Sequence, residues 1–176
     1  MSLSTAIRRF TLATSVGATI AALCLETGGC GRSMPPSYPH ALEDKPMPQF
    51  QHRALDGSMV DTHAVLGHVV VIKFFAKYCA PCRRTLPALE AIHERRDDLV
   101  VIGVAEDDAL SDANAVVSQY GLTFPVIHDG GQQLSGRFGV SAIPITFLVD
   151  RAGSVFWVGG PEATDEDLRA AIDAAP

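Results

Sequence analysis

The sequence predicts an α/β fold in which a central mixed sheet is flanked by helices. Three runs of apolar, largely β-branched residues lie at 68–76, 99–105 and 144–150. Runs of this kind are typical of strands buried on both faces. Stretches with apolar residues at helical spacing separate the runs, as in sheets whose parallel strands are joined by helices. We therefore expect helices to cover both faces of the sheet.

The elements follow the order ββ-βαβαβα-ββα. Asp56-Gly57 separates residues 50–55 from 58–60, and this dipeptide favours a tight turn, so a β-hairpin is predicted at the start. Residues 80–96 form the first predicted helix, and residues 111–120, with Ser111 as its N-cap, form the second. The remaining predicted elements are strands at 124–129 and 154–160 and helices at 132–139 and 165–174.

The first thirty residues differ from the rest of the chain. Arg8 and Arg9 precede a stretch from Phe10 to Leu25 without any charge, which predicts an export signal over residues 1–29. An uncleaved membrane anchor is the alternative, although the stretch is shorter than the roughly 20 residues that span a bilayer. Residues 30–46 are rich in proline and are predicted to form an extended tether. Residues 47–176 then form one domain.

The residues TGGC, ending at Cys30, are similar to a bacterial lipoprotein signal, in which the cysteine is lipidated and becomes the mature N-terminus. Thr27 stands where that pattern prefers leucine. Lipidation of Cys30 and ordinary cleavage nearby therefore remain two alternatives. Either one, or an uncleaved signal, predicts a periplasmic or cell-envelope protein, and lipid or an uncleaved signal would tether it to the membrane.

Charge and cysteine content exclude several functions. The net charge is -6, with 20 acidic and 14 basic residues, which argues against a nucleic-acid partner. Cys79 and Cys82 form a C-x-x-C pair without the second ligand pair of a zinc site, and the six histidines are scattered. No metal and no cofactor are therefore expected. In an exported protein, however, disulfides persist, so a disulfide of Cys79 with Cys82 is expected.

Cys79 and Cys82 lie where a buried strand ends and a helix begins. The free N–H groups and partial positive charge of a first helical turn stabilise a thiolate, which is the nucleophile in disulfide exchange. Pro81 suits a first turn because its missing N–H costs little there. A purely structural disulfide would contribute little across so short a loop. The pattern predicts a redox-active pair with an exposed attacker and a shielded resolver.

Three segments resemble the thioredoxin superfamily and its exported TlpA/ResA-like branch. They are VVVIKFFAKYCAPCRRTLPAL at 69–89, YGLTFPVIHD at 120–129 and FGVSAIPITFLVDRAG at 138–153. The resemblance implies a thioredoxin-like fold with an N-terminal β-hairpin and an inserted helix-strand segment. It also implies that Cys79 attacks and Cys82 resolves.

The same resemblance implies roles for residues around the pair. Pro144 corresponds to the cis-proline opposite the cysteines; because it lacks an N–H, the backbone of Ile143 is left free to pair with a substrate strand. Tyr78 replaces the usual tryptophan and keeps an aromatic platform. Lys73 stands where thioredoxins carry a buried acid, and Thr85 where TlpA/ResA-like proteins often carry glutamate.

Lys73 admits three interpretations on sequence alone. It could be a desolvated base, an ammonium that favours thiolate, or an inward strand residue whose head group reaches the surface.

The predicted function is that of a thiol-disulfide oxidoreductase acting on the dithiols or disulfides of exported proteins, apocytochromes among the candidates. Ala80-Pro81 brings no charge or histidine between the cysteines, which resembles reducing members of the family. A reductant in an oxidising compartment requires an electron donor, in this family typically a membrane thiol shuttle. The enzyme is expected to be a monomer.

Two alternatives share the fold. A peroxiredoxin-like thiol peroxidase requires P-x-x-x-T-x-x-C, but Ile72 and Ala76 occupy the proline and threonine positions. Copper-binding chaperones resemble C-x-x-x-C with a downstream histidine; the spacing here is two, and His128 is the one candidate third ligand.

Overall fold

The computed structural model describes residues 34–176, so the predicted export signal and Cys30 lie outside the described residues. Within this range the chain forms seven strands and four helices. The strands are β1 (Gln51–Arg53), β2 (Met59–Asp61), β3 (Val69–Phe75), β4 (Leu99–Ala105), β5 (Val126–His128), β6 (Ile145–Val149) and β7 (Val155–Gly159). The helices are α1 (Cys82–His93), α2 (Leu110–Tyr120), α3 (Gln133–Phe138) and α4 (Asp165–Asp173).

Five strands form a central mixed sheet in the order β5-β4-β3-β6-β7. Strands β3, β4 and β5 are parallel, while β6 runs antiparallel to β3 and β7 antiparallel to β6. The predicted α/β class and the mixed sheet are therefore confirmed. The predicted hairpin also forms: β1 and β2 pair as a separate two-stranded sheet. Its turn depends on Gly57, whose φ is +87°, and on Asp56, whose carboxylate accepts the Ser58 N–H at 2.8 Å.

Alternation along β3 divides the core into two layers. Val69, Val71 and Phe75 belong to the layer that also contains both cysteines and apolar residues of α1, α2 and α4. Val70, Ile72 and Phe74 belong to the other layer, with apolar residues of the hairpin region and α3. Successive strand residues point to opposite faces, so Lys73 lies on the same face of β3 as Val71 and Phe75, the face that carries the cysteines.

Two helix starts differ from the prediction. Helix α1 begins at Cys82, with Pro81 as the N-cap at φ -64°, so Cys79 precedes the helix. Helix α2 begins at Leu110 with Ala109 as its N-cap, and Ser111 makes no side-chain cap. The reason is that Ala109 already has the extended backbone of a capping residue, φ -93° and ψ 127°, which places Ser111 inside the helix.

Residues 36–46, which we call the N-terminal strap, pack along the edge strand β7. The Tyr38 N–H donates to the Val158 carbonyl at 2.7 Å, and the Val155 N–H donates to the Lys45 carbonyl at 2.9 Å. The Trp157 indole N–H donates to the Pro36 carbonyl at 3.3 Å. We predicted an extended tether over residues 30–46; these contacts place its described part on the domain, because an edge strand has backbone groups free to bind it.

No helix within residues 34–176 has the length and apolar character needed to span a bilayer.

Candidate active site

The site lies at the end of the sheet where β3 and β4 terminate. Parallel strands bring their carboxyl ends to the same end of a sheet, so the loop after Phe75, which carries Cys79, meets the segment after Ala105. Strand β6 begins at this end because it runs antiparallel, with Ile145 opposite Phe74. Pro144 immediately precedes β6 and therefore lies at the same end of the sheet.

Cys79 and Cys82 form a disulfide with a Cα–Cα distance of 5.4 Å. Cys82 is the first residue of α1 and is 1% exposed, whereas Cys79 lies in the turn before the helix and is 5% exposed. The predicted contrast between an exposed and a shielded cysteine is therefore small in the disulfide form. The reason is that the short ring holds both sulfur atoms against the apolar layer beneath α1.

A recess of about 260 Å³ opens beside the disulfide. Apolar Leu86 and Val116 and polar Lys77, Arg83 and Gln119 line it together with both cysteines. A reactant can reach the disulfide through this opening. A larger cleft of about 520 Å³, near the hairpin and α3, contains neither cysteine.

Tyr78, Ile143 and Pro144 flank the site. The Tyr78 side chain is 69% exposed next to Cys79, as an aromatic platform would be. The Ile143–Pro144 peptide bond is cis. Ile143 is half-buried and packs against both core layers.

Lys73 is buried, with 5% of its surface exposed, so its head group does not reach the solvent. Its ammonium donates to Thr146 Oγ1 at 3.0 Å, across the β3–β6 pair. Burial lowers the pKa of Lys73 to about 8; Asp165 raises this pKa and Arg84 lowers it further. Lys73 is therefore a mostly protonated cation at neutral pH, inside the layer that holds the disulfide.

Thr85 and Pro87 lie on α1 beyond Cys82. Thr85 is buried, and its hydroxyl has no hydrogen-bond partner among the described residues. It therefore puts an uncharged group where related proteins often place a glutamate. Pro87 lies within the helix.

Acidic residues that the sequence reasoning missed follow β4. Glu106 and Asp107 are 8% and 3% exposed, and burial raises the pKa of each. The Ser135 hydroxyl lies 2.6 Å from a Glu106 oxygen and 2.9 Å from an Asp129 oxygen. Burial raises the pKa of Tyr78, and the negative charges of Glu106, Asp107 and Asp108 raise it further. The signal was present in the sequence, as three consecutive acids directly after a buried strand.

The histidine proposed as a third copper ligand has another partner. One ring nitrogen of His128 lies 2.6 Å from the Asp107 carbonyl oxygen. Over residues 34–176, no three histidine, cysteine, aspartate or glutamate side chains converge on a position suited to a metal ion.

The fold and the disulfide together define a thioredoxin-like protein whose chemistry resides in a cysteine pair. A model of the AhpC/TSA family matches residues 44–158, and the chain belongs to this family. It is similar to the thiol-disulfide oxidoreductase ResA of Bacillus anthracis, 30% identical over 126 residues, which cover 70% of this chain and 73% of the relative. The thioredoxin-like protein YneN of Bacillus subtilis is 26% identical over 135 residues, 74% of this chain and 79% of YneN.

Solved structures agree. DsbF of MTB, solved in mixed oxidized and reduced forms, superposes with a TM-score of 0.67 at 25% identity, covering 73% of this chain and 99% of DsbF. The predicted membership of the thioredoxin superfamily, in its ResA-like branch, is confirmed. The protein is a thiol-disulfide oxidoreductase. Enzymes of this family use a redox-active cysteine pair, and in this protein Cys79 and Cys82 form a disulfide.

Proposed function

We propose that the enzyme reduces disulfides of exported client proteins, with Cys79 as the attacking and Cys82 as the resolving cysteine. The observation that carries this proposal is the Cys79–Cys82 disulfide at the start of α1, beside an open recess. Cys79 precedes the helix, where the N–H groups of the first turn favour its thiolate. Cys82 is the more buried of the two residues.

The reaction has two exchange steps. The Cys79 thiolate attacks one sulfur of the client disulfide, forms a mixed disulfide and releases one client thiolate. Cys82 then loses its proton and attacks the Cys79 sulfur, which releases the second client thiolate and forms the Cys79–Cys82 disulfide. Two electrons pass to the client, and its two thiolates take up the protons that the enzyme thiols lost. The reaction needs no cofactor and no metal.

We assign client binding to the end of the sheet that carries Pro144. Pro144 has no N–H, so in this proposal the backbone of Ile143 pairs with an extended client segment, while the exposed Tyr78 ring covers the other side of the sulfur atoms. Backbone pairing tolerates many client sequences, which suits a reductant for several exported proteins, apocytochromes among them.

We further propose a direction of electron transfer and a cellular location for the protein. Ala80-Pro81 adds no charge or histidine that would favour the dithiol form, so a reducing potential is proposed. Electrons come from a membrane thiol shuttle that reduces the Cys79–Cys82 disulfide after each turnover. The signal over residues 1–29 exports the chain, and lipid on Cys30 or an uncleaved signal tethers the monomer in the periplasm or envelope, without nucleic-acid partners.

Trapping tests the assignment of the two cysteines. A Cys82→Ser variant cannot resolve the mixed disulfide, so it should accumulate client proteins on Cys79 that dithiothreitol releases. The matched control is Cys79→Ser, which retains Cys82 and should trap few clients because Cys82 is the more buried residue of the pair. Equal trapping by both variants would refute the proposed roles, and an empty trap in reducing and oxidising cells alike would refute exchange with protein clients.

Equilibration with glutathione tests the direction. We expect a reduction potential well below the roughly -120 mV of a strong oxidant, in the range of about -200 mV or lower. A value near that of a strong oxidant would overturn the reductant role and leave the exchange chemistry intact.

A further inference from the structure

We propose that Asp107 is a positioning residue for disulfide exchange: its carboxylate holds the segment that carries Cys79 and places a negative charge beside it. We call residues 76–81 the dithiol loop. The inference rests on the exchange chemistry of Cys79 and does not depend on whether the enzyme works as a reductant.

The carboxylate of Asp107 is attached directly to the dithiol loop. Its Oδ1 accepts the backbone N–H of Lys77 at 2.9 Å, two residues before Cys79. Next to it, the Glu106 N–H donates to the Phe75 carbonyl at 2.9 Å, just before the loop begins. The loop therefore rests on the residues that follow β4, and Asp107 supplies the side-chain contact.

Asp107 is itself fixed from a second side. The His128 ring contacts its carbonyl oxygen at 2.6 Å, so strand β5 holds the backbone of the residue that holds the loop. The Lys77 side chain, by contrast, reaches out to Asp112 at 2.6 Å, where both groups are about half exposed. An exposed pair of this kind fixes a loop weakly. The more buried contact, with Asp107, is therefore the one that sets the position of Lys77.

The second carboxylate oxygen of Asp107 destabilises the fold. Asp107 Oδ2 is buried and has no hydrogen-bond partner among the described residues. A buried polar atom without a partner destabilises the fold. An asparagine could accept the same N–H without burying a charge. A charged group kept at such a cost beside reacting atoms is typical of functional sites.

In this proposal the charge of Asp107 also acts on Cys79. Asp107 faces Lys77 on the dithiol loop, Asp112 on α2 and His128 on β5; its charge also reaches Tyr78, adjacent to Cys79. A nearby negative charge disfavours a thiolate and therefore favours the disulfide over the dithiol. Glu106 and Asp108 also act on Tyr78, whereas the cations that line the recess beside Cys79 are Lys77 and Arg83. Asp107 thus adjusts the reactivity of Cys79 as well as its place.

Two variants separate these effects. Asp107→Asn keeps an oxygen for the Lys77 N–H but removes the charge, while Asp107→Ala removes both. Asp97→Asn is the matched control, since it deletes one exposed carboxylate before β4, at the opposite end of the strands. The measurement is the rate of exchange with glutathione and with glutathione disulfide as a function of pH. The rate plateau reports positioning, and the apparent pKa of Cys79 reports charge.

We expect D107A to lower the plateau by about tenfold or more, since a small misplacement of reacting atoms is costly. D107N should stay within about twofold of the wild-type plateau and lower the apparent pKa of Cys79 by about half to one unit. D97N should match the wild type. The proposal is overturned if D107N is as slow as D107A, or if D107N has the wild-type pH profile. If D107A does not fold, the pH profile of D107N decides alone, and a wild-type profile overturns the proposal. The glutathione equilibrium separately reports the direction of the proposed reaction.

Discussion

The ammonium of Lys73 lies 3.0 Å from the Thr146 hydroxyl, on the central strand pair β3–β6 and closed off from solvent. A cation is thus buried in the layer that holds the Cys79–Cys82 disulfide. Burying a charge with few partners destabilises a protein, but the same charge can stabilise a thiolate when the disulfide is reduced. Two predictions test separately whether Lys73 destabilises the fold and whether it stabilises the Cys79 thiolate.

The first prediction concerns stability and pH. The pKa of Lys73 falls from 10.5 to about 8 on folding, so above pH 8 the folded protein releases this proton before the unfolded chain does. The penalty is fully present below pH 8, at about 3 kcal/mol, and is relieved as pH rises towards 10.5. Lys73→Met should therefore be more stable than the wild type at pH 7, and its advantage should shrink by pH 10. Urea unfolding of the oxidised proteins measures this, and a difference that stays constant with pH would contradict it.

The second prediction concerns the thiolate. In the reduced protein, Lys73→Met should raise the pKa of Cys79 by about one unit, because a cation that favours the thiolate is lost. Absorbance of the thiolate at ultraviolet wavelengths, titrated in Cys82→Ser backgrounds, isolates Cys79. Identical curves for the two proteins would show that Lys73 is a structural residue alone.

The third prediction concerns the attachment of α1. Glu90 is buried, and its carboxylate accepts both the backbone N–H and the hydroxyl of Thr123. Glu90→Ala should lower the free energy of unfolding by about 2–3 kcal/mol, because the Thr123 donors lose their partner inside the protein. Asp98→Asn is the control: Asp98 pairs with Arg96 at the exposed surface and should cost under about 1 kcal/mol. Equal losses for the two variants would mean that Glu90 does not fix the helix.

The fourth prediction concerns the N-terminal strap. A chain that begins at Met47 lacks the hydrogen bonds to Val155, Val158 and Trp157, so it should unfold at lower urea concentration than a chain that begins at Met34. Trp157 is the one tryptophan in the sequence, and its fluorescence should shift to longer wavelength as the indole gains water contact. Unchanged stability and emission would show that the strap contributes nothing to the domain.

Much of the site was readable from local sequence. The apolar run before Cys79 and the proline after it predict a strand and a helix start, and the structure has both within two residues of their predicted places. The N-terminal strap was not readable in this way. Its prolines and weak periodicity indicate an extended segment, but pairing with β7 depends on backbone groups about 110 residues away, which leave no local pattern.

The order of the elements follows from the sequence alone, as do the parallel central strands and the cysteine pair at a helix start, because periodicity and turn residues act over short distances. Tertiary packing sets what surrounds that pair. It placed Lys73 inside the protein with Thr146 as its partner and attached Asp107 to the backbone of Lys77. Both contacts join residues 30 or more positions apart, and both depend on sheet register, which is set when strands assemble.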